Sequence, residues 1–123
     1  ISEDDLLSKL YAEKIKSVKD YKLYSDKLKP VVSETVQQIL KRGVSVVLDF
    51  PANTESQRLW LRNISDEVHS EHTCYFVDRN DEVCIRQLLK RGNPNTDTVE
   101  MFHAITKYFT EPSNSENINT VRV

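Results

Sequence analysis

Glycine is scarce in this chain. Gly43 and Gly92 are the only two in 123 residues, where average usage of about 7% would give roughly nine. Neither is followed by lysine, so these residues contain no GxxxxGK[ST] phosphate loop and no GxGxxG dinucleotide turn. Cysteine is scarce too. Cys74 and Cys84 make no disulfide framework, and a reduced, cytoplasmic setting is the simpler expectation. No apolar run approaches the ~20 residues of a membrane helix. The acidic start, Ile1-Ser2-Glu3-Asp4-Asp5, lacks the features of a secretory signal. Charge of one sign is also missing: the net value is −2. No segment reads as the basic stripe of a nucleic-acid binder, so electrostatics give no support for that partner.

What is present suits one globular domain over residues 1–123. Apolar side chains make up 38% of the chain, enough for an ordinary core at this length. Ser2 and Asp5 spell a capping box before a short helix carrying Leu6, Leu7 and Leu10. Residues 12–24 are rich in Lys and Tyr and read as a solvated face. Ser25-Asp26 reads as the cap of a helix through Leu28, Val32, Val36, Ile39 and Leu40, with Gly43 just beyond its end. Pro30 falls about a turn inside that cap, where it is tolerated.

Val44 to Phe50 is the clearest strand: nearly continuously apolar and β-branched, as in a strand buried on both faces. Thr54-Glu55-Ser56-Gln57 is a capping box for a helix burying some of Leu59, Leu61, Ile64 and Val68. His72 to Asp78 reads as a second buried strand. Asp81 caps a helix through Leu89 to Gly92, Asp97 with Glu100 opens another through Phe109, and Ile118 to Val123 is a short last strand. Strands alternating with helices predict an α/β domain with a parallel sheet.

In such sheets ligands bind beyond the carboxyl ends of the strands. Those positions hold Asp49 and Asn53 after the first clear strand, and Asp78 to Asp81 after the second. An aspartate ending a buried strand is the setting of a Walker-B acid that holds Mg²⁺ directly or through water. A turn or cap aspartate gives the same pattern.

Gly43 to Thr54, followed by Gln57-Arg58, resembles a branch of the P-loop kinases: the bacterial ATP-binding proteins grouped with zeta toxins, chloramphenicol phosphotransferases and polynucleotide kinases. The matching pattern is Asp49, Asn53, and Arg58 in the following helix. Asp78 to Cys84 and Ile105 to Phe109 are similar to two further family segments, and Ser2 to Asp5 to the acidic end of its second strand. The resemblance implies strand order 2-3-1-4-5, with ATP and Mg²⁺ as cofactors and a small hydroxylated molecule as substrate. Asp4 or Asp5 would be the general base for the acceptor hydroxyl. Asp49 would serve the metal and nucleotide, Asn53 and Arg58 would position substrate or brace the acids, and Arg91, with Arg86 as second candidate, would neutralise the transferred phosphoryl from a lid at about 91–98.

The chain departs from the family in two places. Gly92 to Asp97 is shorter and less basic than such a lid. The first strand and phosphate loop are absent from these residues, and Ile1 is an unusual start for a complete gene product, so the expectation is a domain whose N-terminal segment lies outside them. Strands 44–50 and 72–78 would then flank the place of that missing first strand. His69, His72, Cys74 and Cys84 match no standard zinc spacing. Two function classes follow: an ATP-dependent phosphotransferase completed by a phosphate loop elsewhere, or a non-catalytic binding module derived from one.

Overall fold

The computed structural model describes residues 1–92 and 97–123, which form two compact units. One holds Ile1–Ala52 and Leu59–Glu71; the other holds Asn53–Arg58 and His72–Val123.

In the first unit, α1 spans Glu3–Tyr11, with Glu3, Asp4 and Asp5 in the first turn, where acids suit the helix N-terminus. Ser2 occupies the N-cap, but its side chain makes no capping bond, so the box read from Ser2 and Asp5 does not form. The Glu3 amide donates instead across to the carbonyl of Asp49 at 3.0 Å.

Helix α2 runs Val18–Leu40 and is capped by Ser17, whose hydroxyl accepts from the Asp20 amide at 3.1 Å. The helix therefore starts well before Ser25, and the expected cap at Ser25-Asp26 is corrected. Tyr21, Ser25, Leu28, Val32 and Val36 share one helical stripe, and Ser25 is buried on it. Pro30 is interior to the helix, on its exposed side, where it removes the bond to the Asp26 carbonyl. Beyond the Lys41 cap, Gly43 takes a left-handed conformation at φ +74°, and its amide donates to Leu40 at 2.9 Å.

The core of this unit is Leu7, Leu28, Val32, Val36 and Ile64, flanked by Leu48, Phe50 and Trp60. Burying each such side chain contributes about 1.5–3 kcal/mol before entropy is counted. Phe50 and Trp60 pack with centroids 5.6 Å apart, and the indole nitrogen donates to Ser33 Oγ at 3.0 Å.

Segment 44–50 is not the continuous, doubly buried strand expected. It pairs with residues 1–3 through a parallel bridge at Asp49, and Val47 is 82% exposed. Only alternate residues, Val46, Leu48 and Phe50, pack inward. An apolar run is consistent with burial on both faces, but a second layer has to be present to cover the other one.

Helix α3, Glu55–Asp66, begins at the expected capping box: the Gln57 amide donates to Thr54 Oγ1 at 3.3 Å, and Gln57 Oε1 accepts from the Thr54 amide at 3.1 Å. Of the apolar residues expected inside, Ile64 is buried, while Leu59 is exposed.

In the second unit, β1 (Cys74–Phe76) pairs in parallel with β2 (Thr120–Arg122), Tyr75 opposite Val121. The strand expected over 72–78 is thus shortened to three residues, with Tyr75 and Val77 exposed. Helix α4, Asp81–Arg91, is capped by Asn80 rather than Asp81: Asn80 Oδ1 accepts from the Val83 amide at 2.9 Å. Gly92, at φ +71°, ends it. Helix α5, Val99–Thr106, is capped by Thr98 rather than Asp97 and stops before Phe109, which stacks on Phe76 at 5.8 Å. Among the described residues, no helix is long and apolar enough to cross a membrane.

Candidate functional site

Three candidate acids gather at one end of the strands in the first unit. Asp49 donates its amide to the Ile1 carbonyl at 2.9 Å and accepts from the Glu3 amide at 3.0 Å. Asp4 and Asp5 follow directly in the first turn of α1. The parallel pairing therefore brings the ends of both segments level, and all three acids are exposed there.

Sequence reasoning passed over the residue beneath them. Glu3 is 1% exposed, and its carboxylate accepts from the Tyr21 hydroxyl and from Ser25 Oγ at 2.6 Å, both on α2. The signal was the helical spacing of Tyr21 and Ser25 with Leu28 and Val32. Reading Ser25 as a cap hid it. Burial and the bond to Glu3 hold the Tyr21 hydroxyl well above the usual tyrosine range. Its folded form keeps the proton that the unfolded form loses near pH 10.0, so this contribution to stability is whole below that pH and is lost as pH rises. In an absorbance titration, one tyrosine is expected to remain protonated where tyrosines ordinarily ionise. Tyr21→Phe should remove that delayed step, and an unchanged titration would refute the assignment.

In the second unit, Arg58 is 2% exposed. Its guanidinium grips Glu116 through Nε at 2.6 Å and Nη2 at 2.9 Å, and donates from Nη1 to the Thr110 carbonyl at 2.8 Å. The guanidinium beside it is the main reason the Glu116 carboxyl lies below its usual range. Glu116 also closes a capping box with Ser113 at a 3-10 turn, Asn114–Glu116. The Ser113-x-x-Glu116 spacing of that box is visible in the sequence. Arg58 thus secures the loop before β2. Asn53 contributes backbone: its carbonyl accepts from the Thr110 amide at 2.8 Å, and its amide donates to Gln57 at 2.9 Å.

Arg86 and Arg91 both lie on α4 and are exposed. Arg91 makes a two-pronged pair with Asp97, Nε to Oδ2 at 2.7 Å and Nη2 to Oδ1 at 2.5 Å, and the Asp97 side chain is fully buried. Engagement by Arg91 explains why Asp97 does not cap α5. Within the expected lid, Asn93 to Thr96 lie outside the described residues. Burial raises the Cys74 thiol above its usual range. No group of three His, Cys, Asp or Glu among the described residues is placed to hold a metal ion.

These residues fit the two expected cofactors unequally. Mg²⁺ is commonly held by one or two carboxylates, with water and phosphates completing its shell, and exposed Asp49 suits that role. A triphosphate needs a glycine-rich cradle of backbone amides, and no GxxxxGK[ST] exists in the chain.

No curated protein and no solved structure gives a significant match to the chain. One family model does match, that of an AAA domain, over residues 1–112. The parallel strand pairing is consistent with this match, and the chain belongs to that AAA domain family, a P-loop NTPase- or kinase-like domain.

Proposed function

We propose that this chain forms the acceptor side of an ATP-dependent phosphotransferase of the zeta toxin, chloramphenicol phosphotransferase and polynucleotide kinase type, acting on a small hydroxylated substrate. One observation carries the reading. Order 2-3-1-4-5 makes strands 2 and 3 neighbours and strands 4 and 5 neighbours. The pairings present, 1–3 with 47–49 and β1 with β2, are both parallel, as such neighbours would be, which supports the reading. Val46 and Leu48, whose amides and carbonyls face away from residues 1–3 by strand alternation, make no backbone hydrogen bond among the described residues. A first strand carrying the phosphate loop would take that edge.

In this reading Asp4 or Asp5 accepts the proton of the acceptor hydroxyl, an exposed carboxylate at the strand end being suited to it. Asp49 holds the metal. Asn53 positions the loop after its strand, and Arg58 braces rather than touches substrate. Arg86 and Arg91, both on α4, are the candidates to neutralise the transferred phosphoryl. Bound ATP would supply the phosphoryl group, and its cradle lies outside these residues.

Protein made from the complete reading frame is expected to bind ATP saturably in calorimetry. Replacing the acting base, Asp4→Asn or Asp5→Asn, should lower phosphoryl transfer by about 10²–10⁴-fold. Absence of nucleotide binding would overturn the reading in favour of a non-catalytic module, which the engagement of Arg91 by Asp97 also suits.

A further inference from the structure

The buried carboxylate of Glu3 takes no part in the proposed chemistry. Glu3 and Leu7, four residues apart, are the two buried residues of α1. An apolar side chain at position 3 would continue the Leu7 stripe without a desolvation cost. A carboxylate there is tolerated only because it is hydrogen-bonded. Replacing both partners of a buried hydrogen bond by apolar groups of the same shape is often nearly neutral. Packing alone therefore gives no reason for the acid.

What the carboxylate adds is direction, because Glu3 is held twice. Its amide donates to the Asp49 carbonyl at 3.0 Å. Its carboxylate accepts from the Tyr21 hydroxyl, and from Ser25 Oγ at 2.6 Å. The backbone bond fixes the residue to the segment carrying Asp49, and the side-chain bonds fix it to α2. Tyr21 and Ser25 are one turn apart, so both hydroxyls reach the same carboxylate from one helix face. Exposed Asp4 and Asp5 are the next two residues, in the first turn of α1. Burial first, then the bond and charge of Glu3 and the charge of Asp4, hold the Tyr21 hydroxyl above its usual range. Asp4 thus lies within electrostatic reach of the tie.

We propose that Glu3, tied to Tyr21 and Ser25, is a positioning residue that holds the candidate base, Asp4 or Asp5, level with Asp49. The proposal rests on the phosphotransferase reading for its base and adds what sets the geometry of that base. Directional bonds to a helix suit a group that must be held within about 0.5 Å. A misplacement of about 1 Å can cost about 10²-fold in rate.

The test is ATP hydrolysis by protein from the complete reading frame, with water standing in for the acceptor hydroxyl. The triple variant E3M/Y21F/S25A strands neither a charge nor a donor, so its urea unfolding should stay close to the parent's. Its kcat is expected to fall about 10–100-fold with KM for ATP unchanged. In a D4N/D5N background the same three substitutions should change kcat less than about twofold, because they act through the base. An undiminished kcat in the folded triple variant, or an equal loss without the base, overturns the proposal. Should the triple variant unfold, Y21F alone removes one of the two bonds and is judged by the same comparison. Amide exchange in the 123-residue chain gives a readout free of activity: the Glu3 and Asp49 amides should exchange faster in the variant, while those of α2 do not. Unchanged exchange at both amides overturns the proposal without reference to ATP. A parent protein that binds no ATP defeats the phosphotransferase reading instead, and the tie is then judged by exchange.

Discussion

Arg58→Ala is expected to destabilise the second unit by about 3–5 kcal/mol, the usual cost of removing one partner from a buried ion pair. The substitution leaves Glu116, whose side chain is only 5% exposed, without either guanidinium bond. It also removes a donor from the Thr110 carbonyl. Total stabilities of about 5–15 kcal/mol are typical, so a large fraction would go. Urea unfolding measures the loss. Hydrogen exchange would locate it at β1, β2 and the 110–116 loop, all in that unit. The reverse design discriminates pairing from packing: Arg58→Met with Glu116→Leu should lie near the parent, because both charges leave together. A single-variant loss below about 1 kcal/mol, the value of an exposed pair, would contradict the burial. Acid should act the same way. The folded-state carboxyl of Glu116 is depressed from its ordinary 4.5, so its contribution is whole above that pH and fades as pH falls toward the lowered value.

Glu3→Ala carries the second largest expected effect, about 2–4 kcal/mol. Two hydroxyls, Tyr21 and Ser25, would lose their common acceptor. A buried donor left unpaired costs about 1–3 kcal/mol, and the vacated volume adds to it. In a Tyr21→Phe, Ser25→Ala background the same Glu3 substitution should cost far less, because no donor is stranded. A thermal or urea cycle across these four proteins gives the coupling. Additivity would show that Glu3 acts through something other than these two hydroxyls. The functional consequence follows from position: Glu3 ties the end of residues 1–3 to α2, and Asp4 and Asp5 are the next two residues.

Much of the architecture was legible. The Thr54–Gln57 box, the ends of α2 and α4 at Gly43 and Gly92, and the alternation of helix with extended segment follow from local chemistry, because capping and left-handed glycine act over three or four residues. The misplaced start of α2 has a definite cause. Ser25 is a good cap residue by type, but its hydroxyl serves a carboxylate twenty-two residues earlier in the chain, and no local pattern reports that. The strand at 44–50 misled for a related reason. Its apolar run states a capacity for burial on two faces, while Val47 at 82% exposure shows that nothing in this unit covers the second.

The site divides along the same line. The candidate site residues, Asp4, Asp5, Asp49, Asn53, Arg58, Arg86 and Arg91, were visible as a pattern. Which side chains face water and which are consumed in holding the fold was not. Arg58 and Asp97 look alike in sequence to exposed helix and cap residues, yet each is buried against an opposite charge.

By itself, the order of residues determined the scarcity of glycine, the exclusion of a phosphate loop within these residues, and the helices, since each depends on neighbours a few positions apart. The tertiary structure alone decided that the backbone of Val46 and Leu48 makes no hydrogen bond among the described residues, that the 1–3 segment lies parallel to 47–49, and that Glu3 and Glu116 hold their units together. Those outcomes depend on pairing between distant segments, where burial turns an ordinary carboxylate into one that must find its partners.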